Sequence, residues 1–398
     1  MSNAPVSTST LSTRSGATSS FSPISVDFSS PQRGWALGTT SCHATTACLS
    51  LSQSTNAGRS WSAVPLPQSL LRLADRRLSG APAVLSGTTN GSVGSSLNVR
   101  FANADDGWIY GNLPVPTKVN GYPSVTFKPI VWSTHDGGLA WKIQPQSWFY
   151  SQGSQGTVLD LEATSSTVYL MALNKSFTVT VASSPVGQDS WHASDSIGLL
   201  TPAGGGPLSG AIVVSDSHGW LVEGNDRGTT GSARLNISGR WVPWTPPCAS
   251  VGDSLAVPAA STSSHLIVEC VMGGFAYPLS STAPRGATLG STWLYTSDNA
   301  GRTFSAGPEL GRGNVYFGSV LASPKPTTIF ITRNISPHQE LLASFDGGRH
   351  WRPINFGNVS FMHFVNSTEG VALVQASKGP NELIMTFDGG YNWSPVLF

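Results

Sequence analysis

The sequence predicts an all-β fold built from repeated four-stranded units. Three observations predict it. The first is an octet with the pattern Ser/Thr-x-Asp/Asn-x-Gly-x-x-Trp/Phe. It recurs as Ser54-Thr-Asn56-Ala-Gly58-Arg-Ser-Trp61, Thr134-His-Asp136-Gly-Gly138-Leu-Ala-Trp141, Ser297-Asp-Asn299-Ala-Gly301-Arg-Thr-Phe304, Ser344-Phe-Asp346-Gly-Gly348-Arg-His-Trp351 and Thr386-Phe-Asp388-Gly-Gly390-Tyr-Asn-Trp393. The second runs in phase with it. Arg33-Gly34-Trp35, Asp106-Gly107-Trp108, His218-Gly219-Trp220 and Glu369-Gly370-Val371 each open an apolar run. The third is composition: Ser, Thr and Gly are abundant and helix formers are scarce, as in β proteins with many turns.

Each residue type in the octet has a turn-building reason. An Asp or Asn side chain accepts hydrogen bonds from backbone N–H groups one or two residues on, and a Ser or Thr hydroxyl does so more weakly. The fixed glycine suits a positive φ, where a Cβ is costly. The Trp lays an apolar face under the turn, its N–H available for a partner. With apolar runs on both sides, the unit reads as a hairpin with a structured turn.

Taken in order, the runs give seven units. Strands are expected near 23–28, 35–38, 48–53 and 61–66; then 97–102, 108–112, 129–133 and 141–144; then 157–162, 167–173, 176–182 and 189–193. The fourth unit has 210–214, 219–223, 233–237 and 240–245, and the fifth 253–258, 265–271, 291–296 and 303–306. The sixth has 315–322, 327–333, 340–344 and 351–354, and the seventh 359–364, 370–375, 382–386 and 393–397. Units three and four lack a full octet, and Trp191 and Trp241 stand in the place of its last residue. Stacked repeats share one continuous core, so residues 21–398 are expected to form one domain, with 1–20 a disordered tether.

The octet resembles the Asp-box, or BNR repeat, of sialidases, some other glycoside hydrolases, sortilin-type receptors and photosystem II assembly factors. The resemblance runs from residue 54 to 393. It implies a seven-bladed β-propeller with Asp-box turns between the third and fourth strands of most blades. It also implies that the octet residues are scaffolding rather than catalysts.

Charge and cysteines bound the setting. The net charge is +1 with 11% charged residues, too little basic excess for a nucleic-acid or anionic-membrane partner. The four cysteines form an even set, with Cys42–Cys48 and Cys248–Cys270 the expected disulfides among three possible pairings. Neither spacing is a zinc knuckle, and the eight histidines are scattered, so no metal or other cofactor is expected. Disulfides suit an oxidising compartment. No apolar stretch reads as a signal peptide or membrane span. Met1-Ser-Asn-Ala reads as an expression remnant, and the expectation is a secreted or cell-surface monomer whose export signal or anchor has been removed.

In a four-stranded blade the first-to-second and third-to-fourth turns share one face. The second-to-third loops and the blade-to-blade connections share the other. Every long segment falls in the second class: 67–96, 111–128, 144–156, 193–209, 272–290 and 306–314. Long loops on a rigid scaffold commonly carry function, so the face opposite the octets is the expected working face. Segment 68–78 is the best helix candidate, with Leu70, Leu71, Ala74 and Leu78 on one face and Arg72, Arg76 and Arg77 elsewhere. Trp148-Phe149-Tyr150, Tyr122, Tyr277 and Arg285 complete the candidate binding set, suited to a protein hot spot or a sugar ring.

Two function classes follow from the resemblance. One is an exported, non-catalytic binding propeller with a protein or carbohydrate ligand. The other is a glycoside hydrolase of sialidase type, which would need a Tyr nucleophile with a Glu base, or two flanking carboxylates. The Arg-Ile-Pro motif of sialidases is absent from the first unit, and Arg33 lies on the wrong face. Glu223 and Asp226 in the fourth-unit loop, and Asp160 and Glu162 on an innermost strand, are the acidic candidates. Asp75 and Asp253 are weaker ones.

Overall fold

The computed structural model describes residues 21–43, 46–71, 97–119, 122–145, 156–174, 178–193, 209–225, 228–236, 238–248, 254–272, 291–312, 320–335, 338–375 and 380–398. They form seven four-stranded antiparallel sheets, each taking its strands in chain order. The sheets span 22–64, 97–143, 157–193, 209–243, 254–312, 321–354 and 358–395. They are the blades of a β-propeller. The first strands lie innermost: Ser22–Phe28, Leu97–Phe101, Thr157–Ala163, Ser209–Ser215, Ser254–Ala260, Leu321–Lys325 and Asn358–Phe364. Apolar clusters fill the wedges between blades. One joins Trp35 and Leu51 of blade one to Val99 and Phe101 of blade two.

The glycine of the Gly-Trp step is a packing requirement. Gly34, Gly107 and Gly370 lie opposite Phe28, Phe101 and Phe364 in the sheet register. A Cβ on these glycines would meet the rings at 2.6, 2.3 and 2.6 Å. The ring lies over the glycine, and the following Trp35 or Trp108 is buried in the wedge. Trp35 also stacks on Phe101 of the next blade, with centroids 3.6 Å apart.

The octet works differently from the local reading of its residues. Its Ser or Thr hydroxyl has the central role. Ser344 Oγ accepts from Gly348 N–H (2.8 Å) and donates to Asp346 Oδ1 (2.9 Å). Asp346 Oδ1 in turn accepts from His350 N–H, four residues on (2.9 Å). Trp351 Nε1–H closes the turn on the Gly348 carbonyl (2.9 Å). The same net holds Thr134, Asp136, Gly138 and Trp141, and Thr386, Asp388, Gly390 and Trp393. Ser54, Asn56, Gly58 and Trp61 repeat it with Asn in place of Asp. Ser297, Asn299 and Gly301 do so without the indole bond, because Phe304 has no N–H. Two successive residues take positive φ, 74° and 85° at Gly347 and Gly348, which is why the pair reads Gly-Gly or Ala-Gly. The first of the two donates its N–H to the first-to-second turn of its own blade, as Gly347 does to the Thr327 carbonyl (2.9 Å).

Blades three and four depart from the octet, blade four keeping its third and eighth positions as Asn236 and Trp241. In blade four, Asn236 Oδ1 accepts from Ser238 N–H and Arg240 N–H, both at 3.0 Å. In blade three, Asp189 reaches blade two, where it accepts from Ser133 Oγ (3.0 Å) and faces His135 Nε2 and Lys142 Nζ, both at 3.3 Å. His135 Nδ1 lies 2.7 Å from Asp106. Burial lowers this imidazole, and the two carboxylates outweigh that and raise its pKa.

Among the described residues the ring closes without a lent strand. Blade seven takes all four strands from the C-terminal end, and blade one begins at Ser22. Asn381 donates its N–H to Ser22 Oγ (3.0 Å) and its side-chain amide to the Pro23 carbonyl (3.1 Å). Phe398 packs on Phe21, with centroids 4.3 Å apart.

Some expected loops prove to be strand. The segment expected as loop at 111–128 belongs to a long hairpin, Asp106–Val119 paired with Tyr122–His135, with Val119 opposite Tyr122. Only Asn120-Gly121 intervenes, a pair favoured in two-residue hairpin turns. The fourth strand of blade five continues through the expected loop to Arg312, and the third strand of blade four begins at Gly228. The predicted helix at 68–78 is described only over 68–71, where it is helical with Leu70 buried. Cys248 and Cys270 are joined by a disulfide. Cys48 is also disulfide-bonded, and the side chain of Cys42 lies outside the described residues.

Removing the Ser344 hydroxyl leaves the buried Gly348 N–H without an acceptor. Ser344→Ala is therefore expected to cost about 1–3 kcal/mol in urea unfolding. Asp346→Asn keeps the acceptor oxygen and should cost clearly less.

Candidate functional site

An innermost strand has no further strand on its channel edge, so part of its backbone needs other partners. Side chains of the preceding blade supply many of them. Ser25 Oγ and Asp27 Oδ2 of blade one accept from Val99 N–H (3.0 Å) and Phe101 N–H (2.6 Å) of blade two. Asn112 of blade two pairs with both the N–H (2.9 Å) and the carbonyl (2.7 Å) of Val158 in blade three. Asp160 Oδ2 of blade three accepts from Ile212 N–H of blade four (2.9 Å). Thr229 of blade four and Gln339 of blade six do the same for Ala256 and Val359.

These latches bring charge to the channel. Arg100 of blade two bridges Asp27 of blade one (2.9 Å) and Glu162 of blade three, so one guanidinium ties three blades. His363 of blade seven lies 4.0 Å from Asp27. Burial pushes His363 down to about 4, with Arg100 helping, so it is neutral at physiological pH. Burial pushes Asp160 up to about 6 against its bonds from Ile212 and Leu161 N–H and the attraction of Arg100. Tyr110 hydroxyl stands 3.4 Å from Asp160, and burial with that carboxylate raises the phenol well above its ordinary range.

The ends of all seven first strands enclose a cavity of about 470 Å³ at the channel mouth. Ser29, Ser165, Ser261 and Asn366 are at its rim, so it opens on the face of the first-to-second turns and the octets. Glu162 is on its wall. Glu223 is not in a loop: it lies on the strand His218–Asn225 and is wholly buried. Asp226, Asp75, Asp253, Arg72, Arg76, Arg77, Trp148, Phe149, Tyr150, Tyr277 and Arg285 lie outside the described residues, as does the side chain of Tyr122. Among the described residues no group of three or more His, Cys, Asp or Glu could hold a metal.

Asp27, Arg100 and His363 escape a reading by motif. They do share a place: each stands seven residues before the glycine of its Gly-Trp-type step, Gly34, Gly107 and Gly370. Superposing the units on that glycine picks out all three.

No protein-family profile and no curated protein matches this sequence. Solved structures do match the fold. YCF48, solved bound to a D1 peptide, superposes with a TM-score of 0.51 at 17% identity, over 93% of this chain and 92% of that one. The BP39L lectin from Burkholderia pseudomallei gives 0.54 at 11% identity, over 95% and 99%. A puromycin-hydrolysing peptidase from Mycobacterium tuberculosis gives 0.52 at 11%, over 95% of this chain and 52% of that one. At these identities the likeness is one of fold.

Two outcomes are expected from the buried charges. Arg100→Met strands Asp27 and Glu162 and should cost about 3–5 kcal/mol in equilibrium unfolding. The second concerns Glu269, buried on the second strand of blade five with Oε2 lacking a hydrogen bond among the described residues. Burial pushes it up to about 8. The folded state then holds a proton that the unfolded chain releases at ordinary carboxylate pH. Stability is full below that range and falls as pH rises to about 8, by up to about 1.4 kcal/mol per pH unit. Glu269→Gln should remove this slope from unfolding free energies measured between pH 6 and 8.

Proposed function

We propose that this chain is a non-catalytic binding propeller, exported from the cell, whose ligand is a protein segment or a glycan. The observation that supports it is that the channel carboxylates among the described residues do not leave a free pair of the kind a glycosidase needs, with Glu162 on Arg100 the least engaged of them. Asp27 is held by Arg100 and Phe101 N–H. Asp160 is held by two backbone N–H groups, and Glu223 is wholly buried. Tyr110, beside Asp160, and Tyr169, opposite Glu162 in the sheet register, both have their phenols raised rather than lowered, the wrong direction for a nucleophile. Two propellers of the same fold bind ligands: YCF48 was solved with a D1 peptide, and BP39L is a lectin. Both ligand classes are carried into the proposal.

The contact face in this reading is the one opposite the octets. Strand direction alternates within each blade, so the connections between 64 and 97, 143 and 157, 193 and 209, and 272 and 291 all emerge there. The turns on the octet face are short and hydrogen-bonded. The disulfide Cys248–Cys270 favours an oxidising compartment. No helix among the described residues is long and apolar enough to cross a membrane.

The test pairs a hydrolysis screen on aryl glycosides, a sialoside included, with a glycan array and a pull-down from cell-surface extract. No turnover is expected, with binding in one of the other two arms. Trp148→Ala or Arg76→Ala should weaken that binding at least tenfold, and Ser344→Ala should leave it unchanged. Turnover that disappears in Asp160→Asn would replace this reading with the hydrolase.

A further inference from the structure

The channel mouth on the octet face supports a second site, distinct from the face proposed above. Its wall has two halves. Blades seven, one, two and three contribute His363, Asp27, Arg100 and Glu162 in succession. Blades four, five and six contribute Val213, Ala259 and Leu321. A charged arc therefore faces an apolar one across a cavity of about 470 Å³, the size of a small-molecule site.

The charged arc is not balanced. It holds two carboxylates and one guanidinium, and His363 adds no charge at physiological pH. Both oxygens of Asp27 are engaged, by Arg100 and by Phe101 N–H. Arg100 meets Glu162 through Oε1, and Glu162 Oε2 has no hydrogen-bond partner among the described residues. The surplus negative charge thus lies with Glu162, a carboxylate on the cavity wall engaged among the described residues by Arg100 alone.

We infer that the channel mouth binds an alkylammonium group, its nitrogen on Glu162 Oε2 and its methylene stem along Val213, Ala259 and Leu321. The other small-ligand classes fit less well. An anion meets net negative charge. A sugar is best held on an open aromatic face; of the rings on the wall, Phe28, Phe101 and Phe364 lie over Gly34, Gly107 and Gly370, and Phe361 packs on the Val371 cluster and stacks on His363, with centroids 6.5 Å apart. An ammonium on a chain of four or five carbons uses both arcs at once. Its source is either a free amine or the lysine of a protein, and the cavity accepts one such arm.

The test is calorimetric titration of the full chain with n-pentylamine, 1-pentanol, pentanoate and the blocked tripeptide Gly-Lys-Gly. The amine or the lysine peptide should bind at least tenfold more tightly than the alcohol or the acid. A tighter peptide assigns a protein lysine, and a tighter amine assigns a free ligand. Glu162→Gln keeps an oxygen for Arg100 and should lower the affinity at least tenfold. Val213→Trp fills the apolar arc, leaves every charge in place and should abolish binding. Equal affinity for amine and alcohol would overturn the inference. So would undiminished amine binding in either variant, with folding checked by its melting temperature.

Discussion

The structure depends on how the backbone of each innermost strand is satisfied. In a closed ring of blades these strands have a partner on one side only. The N–H and C=O groups on the other side lie too deep for water to serve freely, and an orphaned buried group costs about 1–3 kcal/mol. The chain meets this with polar side chains lent across five of the seven wedges: Ser25, Asp27, Asn112, Asp160, Thr229 and Gln339. The hydrophobic wedges hold the blades together without fixing their height along the channel axis. The directional bonds fix that height, so the ring has one register.

The octets solve the same problem at the rim. A tight third-to-fourth turn leaves several N–H groups pointing inward. One hydroxyl and one carboxylate or amide absorb them, and the next N–H is given to the neighbouring turn of the same blade. This accounts for the tolerance of Asn for Asp and Ser for Thr, since each supplies the needed oxygen. It accounts equally for blade four. There Asn236 keeps the place of the octet's Asp, five residues before Trp241, and takes the N–H four residues on, whereas in blade three Asp189 is turned to Ser133 of blade two.

How much of this could be read in advance follows from sequence distance. The octet net closes within four residues, and the Phe–Gly contact spans six, so both leave a fixed spacing that repeats. Seven blades and most strands were legible for that reason. The long pairing of Asp106–Val119 with Tyr122–His135 was not read, because its Pro-containing strands have the composition of a loop. The latches were not legible. Asp27 finds Phe101 seventy-four residues on, and Asp160 finds Ile212 fifty-two on, so nothing local marks either as structural. Glu223 had the composition of a loop acid because Gly224 and Gly228 flank it. The strand runs through that stretch and turns it inward.

The channel chemistry grows out of the same constraint. A backbone N–H is best answered by an oxygen, and carboxylate oxygens make the stronger bond. A ring of inner strands therefore tends to gather acidic side chains at its centre. Like charges there are tolerable only with a cation among them, and Arg100 fills that place for Asp27 and Glu162 while binding three blades into one unit. Asp27 gives both oxygens to the fold. Glu162 gives one to Arg100 and lines the cavity. Structure and ligand chemistry are thus divided between two carboxylates on one guanidinium. The group free to meet a ligand is the one the backbone does not need.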